Sequence, residues 1–595
     1  APEAAFSVFE ALRPETGESL DRLAFATYSL DLVAVMGLIL SLAGAGEGDD
    51  AAGPLRLLDA LETLRPKIDI IHQKDRLLAA ERHHHILHLL DGNLHPIQPP
   101  KGASYHPKMA LARYIGQGGK PRWRLWLGSR NLTGGQDREA GLLLCGGLDI
   151  ARGSSHPDIA AMASELLALL PWLAGHRSEL AACRWSLPEG TRLRSLQWRA
   201  AGGDRPFRLA DDRTTSMIAI SPFVDAGGCR QAFGKASSIA LLTTRTAASD
   251  LGCRAPSVTH IAGAPEHPIA ETVLIDDGEE RDGPEPLFAS GLHAKLFVDD
   301  RGRSGRLFIG SANLTRRGLA GPNAELLAEL EIPAATVTAL RSFVAGHPPA
   351  AFAPPDKAEL AVRAAERALD EALRHILEAE FTLVAEADTL SLVADRNFDC
   401  FLKQHHLTCW LLTCPDDKIA WPAGARSVTI RRTPLPLRLQ TLLVGFTAAR
   451  HAGDCAPRNW AQIVDFPGFD RAARDLAAKA DYVRLAGASA WLRGQLEGIL
   501  PPEGSSWTGL GVETGAAQSW EEPPRPLALE EILAAWARDP DAFEAKVEPI
   551  DRLLSALAAQ ISEEEIASDP DAAADWARIE NFWRVLRASI GPRRP

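Results

Sequence analysis

Two stretches of this chain carry the same reactive side chains in the same order. Each has His-x-Lys in an apolar run, and each has Gly-Ser-x-Asn after the following apolar run. A lone histidine in such a run is usually a buried, hydrogen-bonded strand residue. The repetition favours a functional interpretation of the residues concerned, which are His106, Lys108, Ser129 and Asn131 in the first copy and His293, Lys295, Ser311 and Asn313 in the second.

This set of side chains suits chemistry at a phosphate. Residues two apart on a strand point to the same face, so each His and its Lys project together. An imidazole beside an ammonium can attack an anionic centre, or protonate a group leaving it, while the Lys neutralises charge. Glycine before each Ser allows close backbone approach to an anion, which amide and hydroxyl donors can then hold. Two half-sites together supply a nucleophile and an acid, so that no metal is required.

The elements that must position these residues are also duplicated. An apolar strand opens each copy (23–31 and 216–225), and a second strand follows it (67–75 and 238–246). After each Gly-Ser-x-Asn a glutamate, Glu139 or Glu325, opens another apolar run. Strands alternating with apolar helical segments predict an α/β fold with a mixed sheet in each copy. A tandem repeat of this period predicts two similar lobes that form one site about a pseudo-two-fold axis.

The paired motifs resemble the phospholipase D superfamily, whose signature of HxK(x)4D with GSxN occurs twice per active site. The resemblance covers about the first 350 residues by element order, and it is nearer to bacterial HKD-type nucleases and the tyrosyl-DNA phosphodiesterase branch than to phosphatidyl-transferring enzymes. It implies a covalent phosphohistidine on one His, protonation of the leaving group by the other, and a phosphate held by Lys and Asn. By this analogy His106 looks like the nucleophile and His293 the acid, with the reverse assignment open. Glu139 and Glu325 match the carboxylates that orient the imidazoles.

The first copy departs from the signature at one place. Asp300 occupies the Asp position of the second motif, but Arg113 stands there in the first. The tyrosyl-DNA phosphodiesterase branch also lacks this Asp, so the change does not predict inactivity. It does make a lipid-cleaving enzyme a weaker expectation.

Several further residues are candidates for binding. We assign substrate binding to Ser129, Ser311, Arg130 and Trp126, although a strand Trp more often belongs to the core. The run "RHHHILH", residues 82–88, has two histidines four apart, but no carboxylate or further ligand is placed near them. We therefore predict no metal site and no cofactor.

Bulk properties limit the class of protein. The 595 residues carry a net charge of -13, yet residues 101–150 hold eight Lys or Arg against three Asp or Glu. This basic segment favours a nucleic-acid substrate. Eight cysteines without a CxxC pair indicate free thiols in a reducing compartment. The apolar stretch at 32–46 is too short to span a bilayer comfortably, and no signal peptide opens the chain. We expect a cytoplasmic protein without membrane association.

The remaining sequence predicts accessory domains. We expect lobe 1 at 1–205, lobe 2 at 206–352, a helix with a β-rich domain at 353–467, and a helical domain at 468–595 that follows a Pro-rich linker. The predicted function is a metal-independent phosphodiesterase that cleaves nucleic acid, DNA before RNA. Partners such as a helicase or other subunits of a DNA-processing or phage-defence complex, and a homodimer, are compatible with it. A phospholipase or phosphatidyltransferase, and a non-catalytic nucleic-acid-binding subunit, stay open as alternatives.

Overall fold

A computed structural model describes residues 7–44, 54–79, 85–134, 138–151, 153–234, 236–251, 258–264, 291–350, 355–386, 388–496 and 529–590. Two large mixed sheets form its first half, followed by two small antiparallel sheets and a group of helices. The predicted mixed α/β fold with two similar lobes and a β-rich and helical C-terminal region is confirmed. The predicted Pro-rich linker before residue 529 lies outside the described residues.

The first lobe is built on an eight-stranded sheet. Its strands are β1 Ser19–Thr27, β2 Ile68–Gln73, β3 Leu94–Ile97, β4 Met109–Ile115, β5 Pro121–Gly128, β6 Gly141–Gly147, β7 Ser154–Ser155 and β8 Arg184–Ser186, in the order β3-β2-β1-β4-β5-β6-β8-β7. Strands β1, β2 and β3 are parallel, and β4, β5 and β6 add to β1 in antiparallel fashion. The sheet is flanked by α1 Val8–Leu12, α2 Leu32–Leu42, α3 Pro54–Leu64, α4 Pro157–Leu166 and α5 Pro171–Ala182.

The second lobe is built on a seven-stranded sheet, six strands of which repeat the order and directions of β3-β2-β1-β4-β5-β6. Its strands are β9 Arg192–Arg199, β10 Ser216–Ile220, β11 Ser238–Thr244, β12 Val258–Ala264, β13 Leu296–Asp300, β14 Ser304–Gly310 and β15 Glu325–Pro333, in the order β12-β11-β10-β13-β14-β15-β9. Strand β9 pairs antiparallel with β15 and so belongs to this sheet. The predicted lobe 1 at 1–205 includes the residues of this strand. The helices are α6 Ala226–Phe233, α7 Arg245–Leu251, α8 Arg316–Ala320 and α9 Ala334–Ala345.

A hydroxyl at the end of the first strand anchors the Gly-Ser-x-Asn turn in each lobe. The Thr27 hydroxyl accepts from the backbone N–H of Leu132 at 3.0 Å and donates to the carbonyl of Ser29 at 2.8 Å. The Ser221 hydroxyl does the same with Leu314, at 3.0 Å, and with the carbonyl of Phe223, at 2.7 Å. These shared contacts align the two copies residue by residue.

The lobes are joined by two crossed backbone pairings. Tyr105 forms a parallel bridge with Ala324, and Arg138 forms one with Leu292. Each bridge brings the His-x-Lys segment of one lobe against the residue just before the glutamate, Glu325 or Glu139, of the other. The central hydrophobic cluster accordingly contains residues of both sheets, among them Met109, Leu127, Leu296 and Leu326.

The C-terminal region begins with the amphipathic helix α10 Lys357–Leu377, which opens on an Asp356 capping box. Two small sheets follow, made of β16 Phe381–Glu386, β17 Thr389–Ala394, β18 His405–Leu411, β19 Ile419–Ala420, β20 Ser427–Arg431, β21 Leu443–Arg450 and β22 Arg458–Ile463, with the short helix α11 Asp399–Leu402 between β17 and β18. The helices after them are α12 Arg471–Leu496, α13 Leu529–Arg538, α14 Pro540–Ala558, α15 Glu563–Ser568 and α16 Pro570–Ile590.

This region packs tightly on the first lobe. Trp410 and Leu443 belong to the same hydrophobic cluster as the apolar residues of α2. The fully buried Arg474 of α12 donates from Nη2 to both carboxylate oxygens of buried Asp91, each at 2.9 Å. A buried guanidinium without its carboxylate is strongly destabilised, so this pair ties the helical domain to the lobe.

We expect Asp91→Ala to destabilise the protein by about 3 kcal/mol, because it removes one of the two carboxylates that pair with buried Arg474 and leaves only Asp475. The measurement is the midpoint of unfolding in urea. The matched control is Asp149→Asn, which removes the partner of the surface cations Lys120 and Arg122. Its midpoint should stay near that of the wild type, and equal losses in both variants would contradict the anchoring role.

Candidate active site

Both His-x-Lys pairs lie in extended segments immediately before strands β4 and β13. The two pairs lie just outside the strands. The backbone N–H groups of His106 and His293 bond to the opposite lobe rather than to a neighbouring strand of their own sheet. His106 donates to the Ala324 carbonyl at 3.1 Å, and His293 donates to the Arg138 carbonyl at 3.0 Å. All four side chains are buried, and each Lys donates to the carbonyl of its own His, at 3.4 Å in the first lobe and 3.1 Å in the second.

Each imidazole meets the carboxylate of the opposite lobe. Nδ1 of His106 lies 2.9 and 3.1 Å from the two oxygens of Glu325. Nδ1 of His293 lies 3.4 Å from Oε1 of Glu139. The sequence indicated that these glutamates orient the imidazoles, but its spacing carries no signal for the exchange between lobes. One composite site therefore contains both motif copies.

The electrostatics of the first pair place a neutral imidazole beside an ionised carboxylate. Burial lowers the pKa of His106 below the usual 6.5, and Lys108 and Lys295 act in the same direction, while Glu325 opposes them without cancelling the shift. Burial raises the pKa of Glu325, but His106, Lys108 and Ser311 outweigh it and the net pKa lies below its usual value. Nδ1–H of His106 thus donates to Glu325, and its Nε2 accepts from Lys108 Nζ at 3.0 Å.

The two halves of the site are unequal. Glu325 is 0 % exposed and also accepts a hydrogen bond from the Ser311 hydroxyl. The Glu139 side chain is 17 % exposed, and its Oε2 lies 3.6 Å from Nη1 of Arg130. The carboxylate facing His106 is therefore held more firmly and in a drier environment than the one facing His293.

The serines of the two turns brace the backbone. The Ser129 hydroxyl accepts from the N–H of Ala140 at 3.0 Å and donates to its carbonyl at 3.3 Å. The Ser311 hydroxyl accepts from the N–H of Leu326 at 3.0 Å while it donates to Glu325. Both hydroxyls thus make hydrogen bonds inside the protein, and the substrate-binding role of Ser129 and Ser311 stays a prediction.

The two asparagines have spare hydrogen-bonding capacity. Asn131 and Asn313 are buried, and within the described part of the chain neither polar side-chain atom of Asn313 has a hydrogen-bond partner, nor does Oδ1 of Asn131. Buried amides are normally satisfied, so these groups can bond a ligand oxygen without breaking an internal bond.

The departure at Arg113 lies away from the site. Arg113, on β4, pairs with Asp21 at 2.6 Å and with Glu179 at 2.8 Å. Asp300, the last residue of β13, accepts from the N–H of Gly302 and pairs with Arg341. Both residues therefore make ion pairs within their own lobes.

Two further expectations about binding are corrected. Trp126 is 4 % exposed and packs with Phe25 in the lobe 1 core, which leaves its ring no face for a base.

The basic segment at 101–150 is not a free cationic surface. Five of its eight cations lie within 4 Å of a carboxylate, and these are Arg113, Lys120, Arg122, Arg124 and Arg130.

Two residues beside His106 escaped the sequence analysis. The ring of Tyr28 stands edge-on to the His106 ring, with centroids 5.0 Å apart. Lys108 Nζ lies 5.5 Å from the Tyr28 ring centroid, and the guanidinium carbon of Arg76 lies 4.8 Å from it. An alignment of the two copies could have drawn attention to Tyr28, because the second copy has Pro222 at that position.

Within the described residues, no group of three or more His, Cys, Asp or Glu side chains is arranged to hold a metal ion. His88 is buried in the 3-10 segment His85–Asn93, whereas His83 and His84 lie outside the described residues. No helix among the described residues is long and apolar enough to cross a membrane.

Comparison with known proteins gave structural similarities only. No family model and no curated protein matches the chain. Solved structures that resemble it include yeast tyrosyl-DNA phosphodiesterase, with 11% identity, coverage of 55% of this chain and 86% of that chain, and a TM-score of 0.32. Another is phosphatidylserine synthase of Haemophilus influenzae, with 11% identity, coverage of 62% and 90%, and a TM-score of 0.31. Both proteins are phospholipase D superfamily members, the family that the paired motifs resemble. Similarity at these TM-scores carries no argument about the site or its substrate.

We expect the pKa of His106 to fall further in Glu325→Gln, because the carboxylate is the group that raises it against burial. Titration of histidine-selectively ¹⁵N-labelled protein measures this directly, with His106→Ala assigning the signal. Glu139→Gln is the matched control, since it faces the other imidazole. Equal effects of the two substitutions on the His106 titration would contradict the crossed arrangement.

Proposed function

We propose that this protein is a metal-independent phosphodiesterase that works through a phosphohistidine intermediate. The observation that carries the proposal is the buried His106–Glu325 pair, whose geometry leaves Nε2 of a neutral imidazole with its lone pair facing Lys108. A neutral imidazole held by a carboxylate through Nδ1 is suited to nucleophilic attack.

In the first step, Nε2 of His106 attacks the phosphorus and the bond to the leaving oxygen breaks. Lys108 exchanges its bond to Nε2 for one to a phosphate oxygen, and Lys295, Asn131 and Asn313 hold the remaining charge. Glu325 stabilises the positive imidazole ring formed by the attack. His293 donates a proton to the leaving oxygen.

In the second step, water attacks the phosphorus and gives a proton to His293, the nitrogen–phosphorus bond breaks, and His106 returns to its neutral form. The unequal carboxylates favour this assignment over its reverse. A nucleophile needs a fixed, neutral ring, which the dry Glu325 provides. His293, as the acid, must exchange protons with water, and its carboxylate partner Glu139 is partly exposed.

For the substrate we propose nucleic acid, with DNA as the first candidate. A small cluster of Arg138, Phe343 and His347 supports this choice. Phe343 is 44 % exposed and stands edge-on to His347, with ring centroids 4.8 Å apart. Nη1 of Arg138 lies 3.4 Å from Nε2 of His347, and the carbonyl of Arg138 accepts from the N–H of His293. An exposed aromatic ring and a guanidinium both contact His347, and the backbone of Arg138 bonds to the proposed acid; this arrangement suits a stacked base and its phosphate.

We expect wild-type protein to cleave labelled DNA in excess EDTA, whereas His106→Ala and His293→Ala fall to background. The physical reason is that the proposed chemistry needs two imidazoles and no metal. The measurement is gel analysis of single- and double-stranded substrates, with circular dichroism to establish folding.

The matched control is His375→Ala, since His375 is an exposed histidine of α10 outside the site. Retained turnover in either active-site variant, or a strict need for a divalent metal, would sink the mechanism. Release of headgroup from phospholipid vesicles without DNA cleavage would instead favour the lipid alternative. DNA binding without hydrolysis of any diester would favour a non-catalytic subunit.

We also expect Phe343→Ala to raise KM for single-stranded DNA by roughly tenfold, the cost of losing one stacking contact, with little change in kcat. The comparison variant is Leu360→Ala, which trims an exposed apolar residue of similar accessibility on α10. Equal KM values for the two variants would exclude the cluster as a base-binding surface.

A further inference from the structure

The two halves of a duplicated site must differ if one histidine is always the nucleophile. The backbone does not make the difference, since the strand orders and the anchoring hydroxyls of Thr27 and Ser221 are the same in both lobes. The next residue along the chain does differ. It is Tyr28 in the first lobe and Pro222 in the second.

The Tyr28 ring contacts His106 and Lys108, the residues of the proposed first step. It is 5 % exposed, and its ring stands at 62° to the His106 ring with 5.0 Å between centroids. Lys108 Nζ and the Arg76 guanidinium carbon lie within cation–π range of it, at 5.5 and 4.8 Å. The negative face of an aromatic ring attracts cations, so the ring holds Lys108 where Nζ also reaches Nε2 of His106.

The second lobe uses the same position differently. Pro222 has no aromatic ring, and its carbonyl accepts from the hydroxyls of Thr243 and Thr244 at 3.4 and 3.0 Å. After β11 the second lobe continues directly into α7 Arg245–Leu251, whereas Arg76 follows β2 after a turn. The Tyr28 ring and the Arg76 guanidinium over it thus belong to the first lobe, where the second lobe has Pro222 in place of the ring.

We propose that Tyr28 is a positioning residue that makes His106 the nucleophile, by fixing its imidazole and Lys108 in one half of the duplicated site. The proposal rests on the proposed phosphodiesterase function and adds what distinguishes its two histidines. Its ring also excludes water from one side of His106, and burial is the largest cause of the lowered pKa of that imidazole.

The test compares Tyr28→Leu with Tyr28→Phe. The leucine variant removes the ring but keeps an apolar side chain, so water reaches His106 and Lys108 is released. We expect the His106 titration, followed by ¹⁵N labelling without substrate, to move up towards 6.5, and the acid limb of kcat/KM to move with it. We expect kcat to fall roughly 10- to 100-fold, as for a misplaced reacting group, with KM changed less than kcat. Tyr28→Phe keeps the ring and should behave as the wild type.

Tyr114→Leu is the matched control. Tyr114 is also a buried lobe 1 tyrosine with a cation over its ring, Arg124 at 4.6 Å, but it lies in β4 away from the histidines. Its loss should leave the His106 titration and the pH profile unchanged even where it lowers stability.

The outcomes separate this inference from the proposed function. Wild-type enzyme trapped with an oligonucleotide that carries ³²P at the scissile phosphate should acquire an acid-labile, base-stable label that maps to His106. An unchanged titration and kcat in folded Tyr28→Leu, with labelling of wild-type His106 intact, would overturn the role of Tyr28 alone. A Tyr28→Phe variant as impaired as the leucine variant would overturn it too, since the hydroxyl would then be the active group. A wild type that neither hydrolyses diesters nor forms a phosphohistidine would overturn the proposed function, and this inference with it.

Discussion

The ionised carboxylate of Glu325 sits in the interior of the protein, and its pairing with His106 is the interaction on which the rest of the site depends. A buried carboxylate is costly unless charge and hydrogen bonds compensate it. Here the compensation comes from His106 and Lys108 of the opposite lobe and from the nearby Ser311 hydroxyl. Separation of the lobes would leave the charge of Glu325 without these partners. The same contact therefore orients His106 and holds the two lobes together.

The crossed pairing also explains why the chain is duplicated in this form. Each lobe supplies a His-x-Lys segment that needs a carboxylate and a glutamate-led strand that provides one. Backbone bridges at Tyr105–Ala324 and Arg138–Leu292 set the distance between them. Once that frame exists, single side chains can differentiate the halves without disturbing it, as the unequal exposure of Glu139 and Glu325 shows.

Local patterns were enough to predict the strands, their repetition and the residues of both motifs. An apolar run, a hydroxyl at the strand end and a Gly-Ser-x-Asn turn each have a signature within a few residues. The partners of the histidines have none, because His106 and Glu325 lie 219 positions apart. The sequence also did not show which of the candidate binding residues are buried or paired. Trp126 and the basic segment looked available for nucleic acid in the sequence, yet Trp126 packs against Phe25 and five of the eight cations of the segment pair with carboxylates. Strand β9 precedes the second lobe in the chain by residue number yet pairs with β15 of that lobe, and no local pattern indicates this pairing.

The C-terminal region is connected to His106 through packed side chains. Lys74, two residues before Arg76, donates to the carbonyl of Ala379 and to the carboxylate of Glu380, at 3.2 and 2.8 Å. Arg76 itself lines a small crevice against the α10 residues Asp370 and Arg374. Its guanidinium backs the Tyr28 ring that stands against His106. Because packed side chains transmit displacement rather than absorb it, a shift of α10 would alter the position of Arg76. Helix α10 therefore supports the wall beside His106, and it also contacts the second lobe through the pair of Arg363 with Asp250 at 2.6 Å.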